Sequence, residues 1–318
     1  MTNIEDFGQK SRIIPGTTSP SAAERALAIA IARCSNVNRA IGDKSHACHE
    51  VVNFQSNTPD RHIPEAWFGN LSGAKVLLIS SNPSIDLSED ETTENYPRGR
   101  WSDDEIAEWI TRRADQSWSD VPVTFKKSGK KDFLWRCIDG EYRGAGPSNS
   151  PQTTWNKTHR RVVELLGDEA DPSKNYALTE VVHCKSTGEH GVASAAPVCS
   201  QTWLTRIMSI AENASVVILC GSKVLDFWAR SGLRLDKEYG RGKKGGVNPA
   251  LRTTRDIFVS EFSGLNRAFL YMGQPAYSSS LSNLYGPQVV AALGTIARGE
   301  APVPEDTQQL QSFLRLNT

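Results

Sequence analysis

The chain has 318 residues with 36 basic and 36 acidic side chains, and 38% of its residues are hydrophobic. This composition is typical of a globular protein with a sizeable core, and it excludes a fibre, a coiled coil and a wholly disordered chain. The longest apolar runs fall far short of the roughly 20 residues that span a bilayer, and the N-terminus carries no export signal. We therefore expect a cytoplasmic protein with no membrane partner, whose six cysteines are thiols or metal ligands and not disulfides.

Strand and helix patterns alternate along most of the chain. An Ala-rich helix capped by Ser21 is predicted at residues 21–32, and a strand buried on both faces at 74–80. Residues 87–155 are charged and aromatic, with one amphipathic piece at 104–113, and are interpreted as an insertion. The later predicted elements are a helix at 158–166, strands at 176–183 and 216–220, helices at 199–211 and 221–230, a hairpin of strands 257–262 and 268–272, and a helix at 287–297.

This order predicts the fold class and the domain organisation. Parallel strands need connections long enough for a helix, so the alternation predicts a three-layer α/β/α sandwich with a mostly parallel central sheet. We expect an N-terminal extension with a helix at 1–70, the α/β/α domain at 71–300 with its insertion at 87–155, and a C-terminal tail at 301–318.

Polar segments follow three of the predicted strands, where ligands of open α/β sheets bind. The three segments are Ser81-Asn82-Pro83-Ser84-Ile85-Asp86, Glu180-Val181-Val182-His183-Cys184-Lys185-Ser186 and Gly273-Gln274-Pro275-Ala276-Tyr277-Ser278-Ser279-Ser280. Each alone is also ordinary turn chemistry, so the functional information lies in their order.

Taken in this order, the segments resemble the motifs of the uracil-DNA glycosylase superfamily over about residues 75–293. Asn82-Pro83 resembles the Asp/Asn-Pro pair that handles the hydrolytic water. Residues 179–184 stand where the iron–sulfur branch has Thr-Asn-x-x-Lys-Cys, whose Asn pairs with the flipped base, and Gln274-Pro275-Ala276 replaces a His-Pro-Ser loop that enters the minor groove. The resemblance implies a uracil-DNA glycosylase-like fold and a monofunctional DNA glycosylase that hydrolyses the N-glycosidic bond of a flipped pyrimidine and leaves an abasic site.

Two departures from the family bear on the base. The uracil enzymes place a Tyr after their Asp-Pro pair to close the C5 edge of the base, and the smaller Ser84 leaves room there. Glu180 replaces the base-reading Asn, and a carboxylate accepts hydrogen bonds, which suits the N4 amino group of cytosine. If burial raised its pKa, a protonated Glu180 would also donate to cytosine N3.

The expected substrate is therefore a C5-substituted cytosine, carrying a hydroxymethyl or glucosylated group. Such bases occur in some bacteriophage genomes, so a role in phage defence follows by analogy.

The same segments supply the candidate catalytic residues. An amide is not a base, so Asn82 is expected to orient a water. Asp86 is a candidate to stabilise the cationic sugar or to act as general base, and equally to cap a helix. His183 is a candidate donor to the departing base, with a structural role as its alternative. Residues expected to line the base pocket are Ser81, Pro83, Ser84, Glu180 and Gln274.

DNA is the expected partner, and two segments offer contacts to it. The Gly-rich loop that contains Arg241, Lys243 and Lys244 allows close approach to phosphates, although a flexible surface turn has the same composition. The second segment supplies Tyr277 for stacking and Ser278, Ser279 and Ser280 as neutral donors to phosphate.

We expect no cofactor in catalysis, but the cysteines allow a structural centre. Cys184 and Cys199 are spaced nearly as two ligands of the iron–sulfur branch, and Cys34 and Cys48 precede them as that branch's first pair does. Four thiolates would bind a [4Fe–4S] cluster. His46 and His49 permit zinc instead, and free buried thiols are the third alternative. Cys137 and Cys220 are assigned to the core.

Two other functions stay open on the sequence. One is a uracil-DNA glycosylase of base-excision repair, with Glu180 pointing elsewhere. The other is a catalytically inert DNA- or nucleotide-binding module, which the missing His of the last motif favours. A lyase that forms a Schiff base is disfavoured, because no lysine stands clearly in the motifs.

Overall fold

A computed structural model gives the fold of most of the chain. The described residues are 20–55, 61–84, 99–112, 114, 117–118, 123–124, 131–132, 135–136, 142–143, 153–224, 257–262, 265–273, 280–300, 305–306, 308 and 314–316.

Helices and strands alternate as the sequence predicts. The helices are α1 (Ala22–Ala32), α2 (Ser35–Gly42), α3 (His49–Asn53), α4 (Asp103–Arg112), α5 (Thr153–Leu166), α6 (Val192–Ile210), α7 (Leu281–Tyr285) and α8 (Pro287–Arg298). The strands are β1 (Trp67–Gly69), β2 (Val76–Ser80), β3 (Ser117–Trp118), β4 (Val123–Thr124), β5 (Lys131–Asp132), β6 (Trp135–Arg136), β7 (Tyr142–Arg143), β8 (Tyr176–Glu180), β9 (Val216–Cys220), β10 (Ile257–Phe262), β11 (Leu265–Met272) and β12 (Leu314–Leu316).

Within the described part of the chain, seven strands form one mixed sheet in the order β1-β8-β2-β9-β11-β10-β12. Strands β8, β2, β9 and β11 run parallel to one another, and β12 runs parallel to β10. The antiparallel pairs are β1 with β8 and β10 with β11. The predicted mostly parallel α/β architecture is confirmed, including the hairpin near the end of the chain.

Apolar side chains of the central strands point alternately to two helical layers. Leu77 and Ile79 of β2 pack into a core that includes residues of α1 and α6, whereas Val76 and Leu78 pack into a second core with α5 and α8. Since successive side chains of a strand point to opposite faces, a strand covered on both sides has to be apolar throughout. This explains why β2 up to Ile79 and the whole of β9 read as hydrophobic runs, whereas β8 is buried throughout but ends in Thr179 and Glu180.

Local sequence signals fix the ends of several elements. The Ser21 hydroxyl accepts a hydrogen bond from the Glu24 N–H at 3.1 Å, and the Glu24 carboxylate accepts from the Ser21 N–H at 2.8 Å. This capping box satisfies two of the donors left open at the start of α1. The carboxylate of Glu24 also accepts from the Ser72 N–H at 3.0 Å, so the cap ties α1 to the turn before β2.

Several boundaries differ from the prediction, among them the following three. Strand β8 ends at Glu180 and not at residue 183, because the chain turns there and His183 O accepts a hydrogen bond from Glu65 N at 2.9 Å. Helix α6 begins at Val192 and contains Pro197, although a proline inside a helix normally indicates a boundary. The edge strands β1 and β12 come from the predicted extension and the predicted tail, so both segments contribute to the sheet.

The start of the predicted insertion is anchored to the N-terminal helix. Arg25 pairs with Asp104 at 3.1 Å, and Arg33 Nε donates to Asp103 at 3.0 Å. Arg33 also donates to the backbone carbonyls of Gly99 and Trp101. Helix α4 thereby packs on α1, beside the core layer that contains α6. None of the described helices is long and apolar enough to cross a membrane.

Candidate active site at the carboxyl edge of the sheet

The direction in which successive parallel strands are added to the sheet reverses at β2. The chain passes from β2 to β8 on one side, and the next parallel strand, β9, lies on the other side of β2. At such a switch point the loops after the strands diverge and leave a crevice at the carboxyl edge, where α/β proteins bind ligands. Two of the predicted segments, 81–84 and 180–186, lie at this edge, and Gly221 follows β9 there.

Glu180 is a buried carboxylate at the end of β8. It is paired in register with Ser80 of β2, and the Ser80 hydroxyl donates a hydrogen bond to Glu180 Oε1 at 3.2 Å. The residue is 7% exposed, so it does not point into bulk solvent. Burial raises the pKa of the Cys220 thiol, at the end of β9, and the carboxylate of Glu180 raises it further. The carboxylate is therefore close to the ends of both β2 and β9.

The side-chain amide of Asn82 has a fixed orientation. Its nitrogen donates to Pro83 O at 3.0 Å, to Cys184 O at 3.4 Å and to the Ser186 hydroxyl at 2.9 Å. Backbone carbonyls only accept, so the NH₂ group and not the amide oxygen has to face them. Three acceptors therefore fix the amide nitrogen, and no described residue donates a hydrogen bond to Asn82 Oδ1.

The other described members of the first segment differ in exposure. Ser81 is 5% exposed and its carbonyl accepts from Val182 N at 3.0 Å. Pro83 is buried, and its carbonyl accepts from Ser186 N at 3.2 Å. Ser84 is exposed at the end of the segment. Ser81 and Pro83 therefore hold two loops together, while Ser84 is the member of the segment that is open to solvent.

His183 occupies a position that does not favour its predicted role. Its imidazole is 1% exposed, and Nδ1 lies 2.7 Å from Glu65 O, an acceptor, so Nδ1 carries the proton. Burial lowers the pKa of His183 to about 4, which keeps the ring neutral at pH 7. A neutral ring protonated on Nδ1 has only an acceptor at Nε2, and Nε2 is buried with no partner among the described residues. We therefore assign His183 to the support of its loop and not to proton donation.

Most of the other predicted contacts fall outside the described residues. These are Asp86, Arg241, Lys243, Lys244, Gln274, Tyr277, Ser278 and Ser279. Ser280 is described, and it caps α7 by accepting a hydrogen bond from Asn283 N at 3.1 Å. A hydroxyl that accepts in a cap still has its own proton, so Ser280 retains the capacity to donate to phosphate.

The four cysteines of the predicted centre lie in one core layer. Cys34 precedes α2, Cys48 precedes α3, Cys184 follows β8 and Cys199 lies in α6. Cys48 and Cys199 belong to one hydrophobic cluster, and the partly buried Cys34 and Cys184 pack against it. Burial raises the pKa of Cys199 to about 12 and that of Cys48 to about 11. Cys34 and Cys48 raise the pKa of Cys199 further, and burial followed by the other three thiols raises that of Cys184. All four thiols thus lie in or against one hydrophobic cluster on the same side of the sheet.

No preformed site for a metal ion is found among the described residues. Four thiolates on one zinc ion lie about 4 Å apart, because each Zn–S bond is about 2.3 Å. Among the described residues, no three His, Cys, Asp or Glu side chains are close enough to hold one metal ion. A [4Fe–4S] cluster binds each thiolate to a different iron, so its ligands are more widely spaced. His49 Nδ1 bonds to Ala40 O at 2.8 Å, and His46 Nδ1 accepts from Cys48 N at 3.1 Å.

The remaining cysteines agree with the predicted chemistry as far as they are described. The five described cysteines are free thiols, as expected. Cys220 lies in the second core layer, on the opposite face of the sheet. Cys137 lies outside the described residues.

Some functional residues were not identified from the sequence. Ser80 and Ser186 hydrogen-bond to Glu180 and Asn82, but a serine in a strand or loop carries no signal that distinguishes it. Lys185 forms a buried ion pair with Glu65, at 3.3 Å and with side chains 4% and 10% exposed. The sequence around Lys185 does not indicate this pair, because its two members are 120 residues apart in the chain.

Comparison with known proteins adds no assignment to this geometry. No protein-family model matches the chain, and no curated protein is found to be similar to it. The functional interpretation therefore rests on the residues at the carboxyl edge of the sheet.

Proposed function

We propose that this protein is a monofunctional DNA glycosylase of the uracil-DNA glycosylase type, acting on a C5-substituted cytosine. The observation that carries the proposal is the buried carboxylate of Glu180 at the sheet's switch point, one strand away from the amide of Asn82, whose nitrogen is held by three acceptors. The α/β sheet with β2 between β8 and β9 supports a fold of that type.

The buried carboxylate provides base selection. A nucleotide has to leave the duplex before its glycosidic bond is accessible, and the enzyme recovers that cost through contacts to the flipped base. A carboxylate accepts from the N4 amino group of cytosine, whereas it faces the O4 carbonyl of uracil unfavourably because both are acceptors. Burial strengthens this discrimination, since a polar atom left unpaired in a pocket of low water content is costly.

The oriented amide provides water positioning. Asn82 Oδ1 accepts a hydrogen bond from a water and holds it for attack on the anomeric carbon as the base leaves. The amide does not remove a proton, so the rate gain comes from orientation. Base release then yields an abasic site and the free base. Because the NH₂ group is already fixed by three acceptors, the water site requires no rearrangement of Asn82.

The proposal extends to the C5 substituent of the base and to its biological source. Ser84 is small and exposed, which supports the proposal that a substituent such as a hydroxymethyl or glucosylated group has room beside the base. We infer that the natural substrate is modified bacteriophage DNA, with a role in phage defence. That last step follows by analogy from the known occurrence of such bases.

We also propose a structural [4Fe–4S] cluster held by Cys34, Cys48, Cys184 and Cys199. When bound, the cluster would cross-link the N-terminal helices to α6 and to the loop after β8, and it would supply no step of the hydrolysis. The shared core layer and the mutual effect on thiol pKa support this set. Protein purified without air should be brown, with absorbance near about 400 nm and about four irons per chain, and Cys199→Ser should lose both.

Base release from defined duplexes tests the function. Matched duplexes carry one uracil, one hydroxymethylcytosine or one glucosylated hydroxymethylcytosine, and alkali then cleaves each abasic site. We expect strand breaks at the modified cytosines and a released base of the corresponding mass. Breaks at uracil alone would assign the protein to uracil repair, and binding without breaks on any duplex would assign it to the inert binding modules.

Asn82→Ala provides the mechanistic control. This variant should bind the duplex as the wild-type protein does but lose turnover by at least about 100-fold, since the positioned water is lost. Unchanged turnover would remove Asn82 from the mechanism.

A further inference from the structure

Residues 180–186 contact the segment that carries Asn82. The segment follows β8 and runs beside residues 80–83, so that backbone pairing continues past the ends of the strands. The hydrogen bonds join Val181 N to Ser80 O at 2.9 Å, Val182 N to Ser81 O at 3.0 Å and Ser186 N to Pro83 O at 3.2 Å. The position of Asn82 therefore depends on this segment.

Ser186 makes the shortest contact with the Asn82 amide. Its hydroxyl accepts from Nδ2 at 2.9 Å, compared with 3.0 Å for Pro83 O and 3.4 Å for Cys184 O. The Ser186 residue is only 1% exposed, so water does not replace its hydroxyl without rearrangement. The three acceptors surround the same nitrogen and fix the rotation of the amide.

Buried polar contacts hold Ser186 in place from the other side. The adjacent Lys185 pairs with Glu65 at 3.3 Å in a nearly solvent-free position. Gln55 Nε2 donates to Lys185 O at 3.4 Å, and Gln55 Oε1 accepts from His62 N at 3.0 Å. A hydroxyl anchored in this way acts as a preorganised acceptor, because its position is set before any ligand binds.

We propose that Ser186 is a positioning residue, whose hydroxyl holds the Asn82 amide in the rotamer that presents Oδ1 to the attacking water. The proposal rests on the glycosylase function proposed above. Ser186 does not touch the substrate, and it acts only through Asn82. Without the hydroxyl, the amide keeps one good acceptor and one long one, and it samples rotations in which Oδ1 no longer faces the water.

Ser186→Ala is the informative variant, with Ser173→Ala as its matched control. Ser173 is a buried serine near the opposite, amino end of β8, where its hydroxyl donates to Asp171 at 2.6 Å. Single-turnover release of the modified cytosine should fall about tenfold in Ser186→Ala, the change that about 1.4 kcal/mol of activation free energy produces. The Kd for the duplex should stay within twofold, and Ser173→Ala should release base at the wild-type rate.

A double-mutant cycle separates positioning from general support of the fold. In the Asn82→Ala background, Ser186→Ala should cause no further loss of rate, because its effect passes through the missing amide. Ser186→Thr keeps the hydroxyl and should restore at least a third of the wild-type rate. If Thr does not fit the buried site, the cycle alone decides the question.

The outcomes are distinct. A tenfold loss in Ser186→Ala that persists undiminished in the Asn82→Ala background would overturn the positioning role, as would a wild-type rate in Ser186→Ala. Either result leaves the glycosylase proposal intact, because the wild-type protein still releases the base. A wild-type protein that releases no base from any duplex overturns both.

Discussion

Replacing Glu180 by Gln isolates the hydrogen-bond polarity of the proposed base pocket. Gln has nearly the same size and shape, so the buried position beside Ser80 accommodates it. The change removes the negative charge and introduces an NH₂ donor in place of one acceptor. The fold should therefore be retained while the preferred base changes.

The magnitude follows from the hydrogen bonds that are exchanged. A hydrogen bond to a charged group contributes about 1.5–3 kcal/mol, and a neutral one about 1 kcal/mol, so the variant loses about 1.4 kcal/mol with the cytosine N4 amine. With uracil, the variant gains a similar amount of free energy, because the repulsion between the Glu180 carboxylate and the O4 carbonyl is replaced by a hydrogen bond from the Gln amide. Each 1.4 kcal/mol is about tenfold in rate, so the preference for modified cytosine over uracil should fall by about 100-fold.

The assay compares single-turnover kcat/KM values on duplexes that differ only in the target base. Glu212→Gln is the matched control, since Glu212 is exposed and its neutralisation should leave both rates unchanged. Circular dichroism and thermal unfolding establish that the Glu180→Gln variant is folded. An unchanged preference in a folded Glu180→Gln protein would refute the assignment of Glu180 to the base.

Three predictions concern the scaffold that holds the site. Gly191 has φ 71°, and a Cβ there would lie 2.4 Å from the backbone nitrogen of Val51 in α3; Gly188 has φ 61° with open space around it. Gly191→Ala should therefore destabilise the protein by about 2 kcal/mol more than Gly188→Ala in urea unfolding, and equal losses would exclude the helix contact as the cause. Arg267 is fully buried and donates to Met208 O at 3.0 Å and Ala211 O at 2.9 Å at the end of α6. Arg267→Met should therefore lower the free energy of unfolding by about 3 kcal/mol. Arg206→Met at the exposed face of α6 should lower it by less than about 1 kcal/mol, and similar losses in the two variants would contradict the capping role. Burial lowers the pKa of His159 to about 4 from an ordinary value of 6.5, so the unfolded chain binds the proton more tightly. The stability that this residue contributes is complete above pH 6.5 and falls by up to about 3 kcal/mol as the pH decreases to about 4. His159→Gln should weaken this dependence of stability on pH, and an unchanged dependence in the variant would contradict a neutral ring in the folded protein.

Local patterns in the sequence were sufficient for the elements whose ends are set by neighbouring residues. The capping box of Ser21 and Glu24 specifies the start of α1 because its donors and acceptors are three residues apart. The run Val216–Cys220 indicates a strand covered on both faces, and the structure places it in the middle of the sheet. The start of α6 was not predicted from local signals: the helix begins at Val192 and contains Pro197 in its second turn, whereas the prediction began at residue 199.

Long-range pairs were accessible only through the tertiary structure. The short strand β12 and the ion pair of Lys185 with Glu65 join segments that are far apart in the chain, and nothing local marks them. The same holds for buried Arg267, whose sequence context in a hairpin gives no sign that it caps a helix. His183 was left with two alternatives by the sequence, and its burial and its backbone partner favour the structural one.

The order of residues indicates which chemical groups follow which strands, because strand ends and the residues after them are local properties. It thereby specified an α/β fold and placed Glu180 and Asn82 at the carboxyl edge of the sheet. How those groups are oriented depends on contacts made in the folded protein. The direction of the Asn82 amide, the Ser80 contact to Glu180 and the gathering of four cysteines in one layer depend on atoms brought together across the sheet. Hydrogen bonds act over about 3 Å, and sequence separation carries no information about distances of that size.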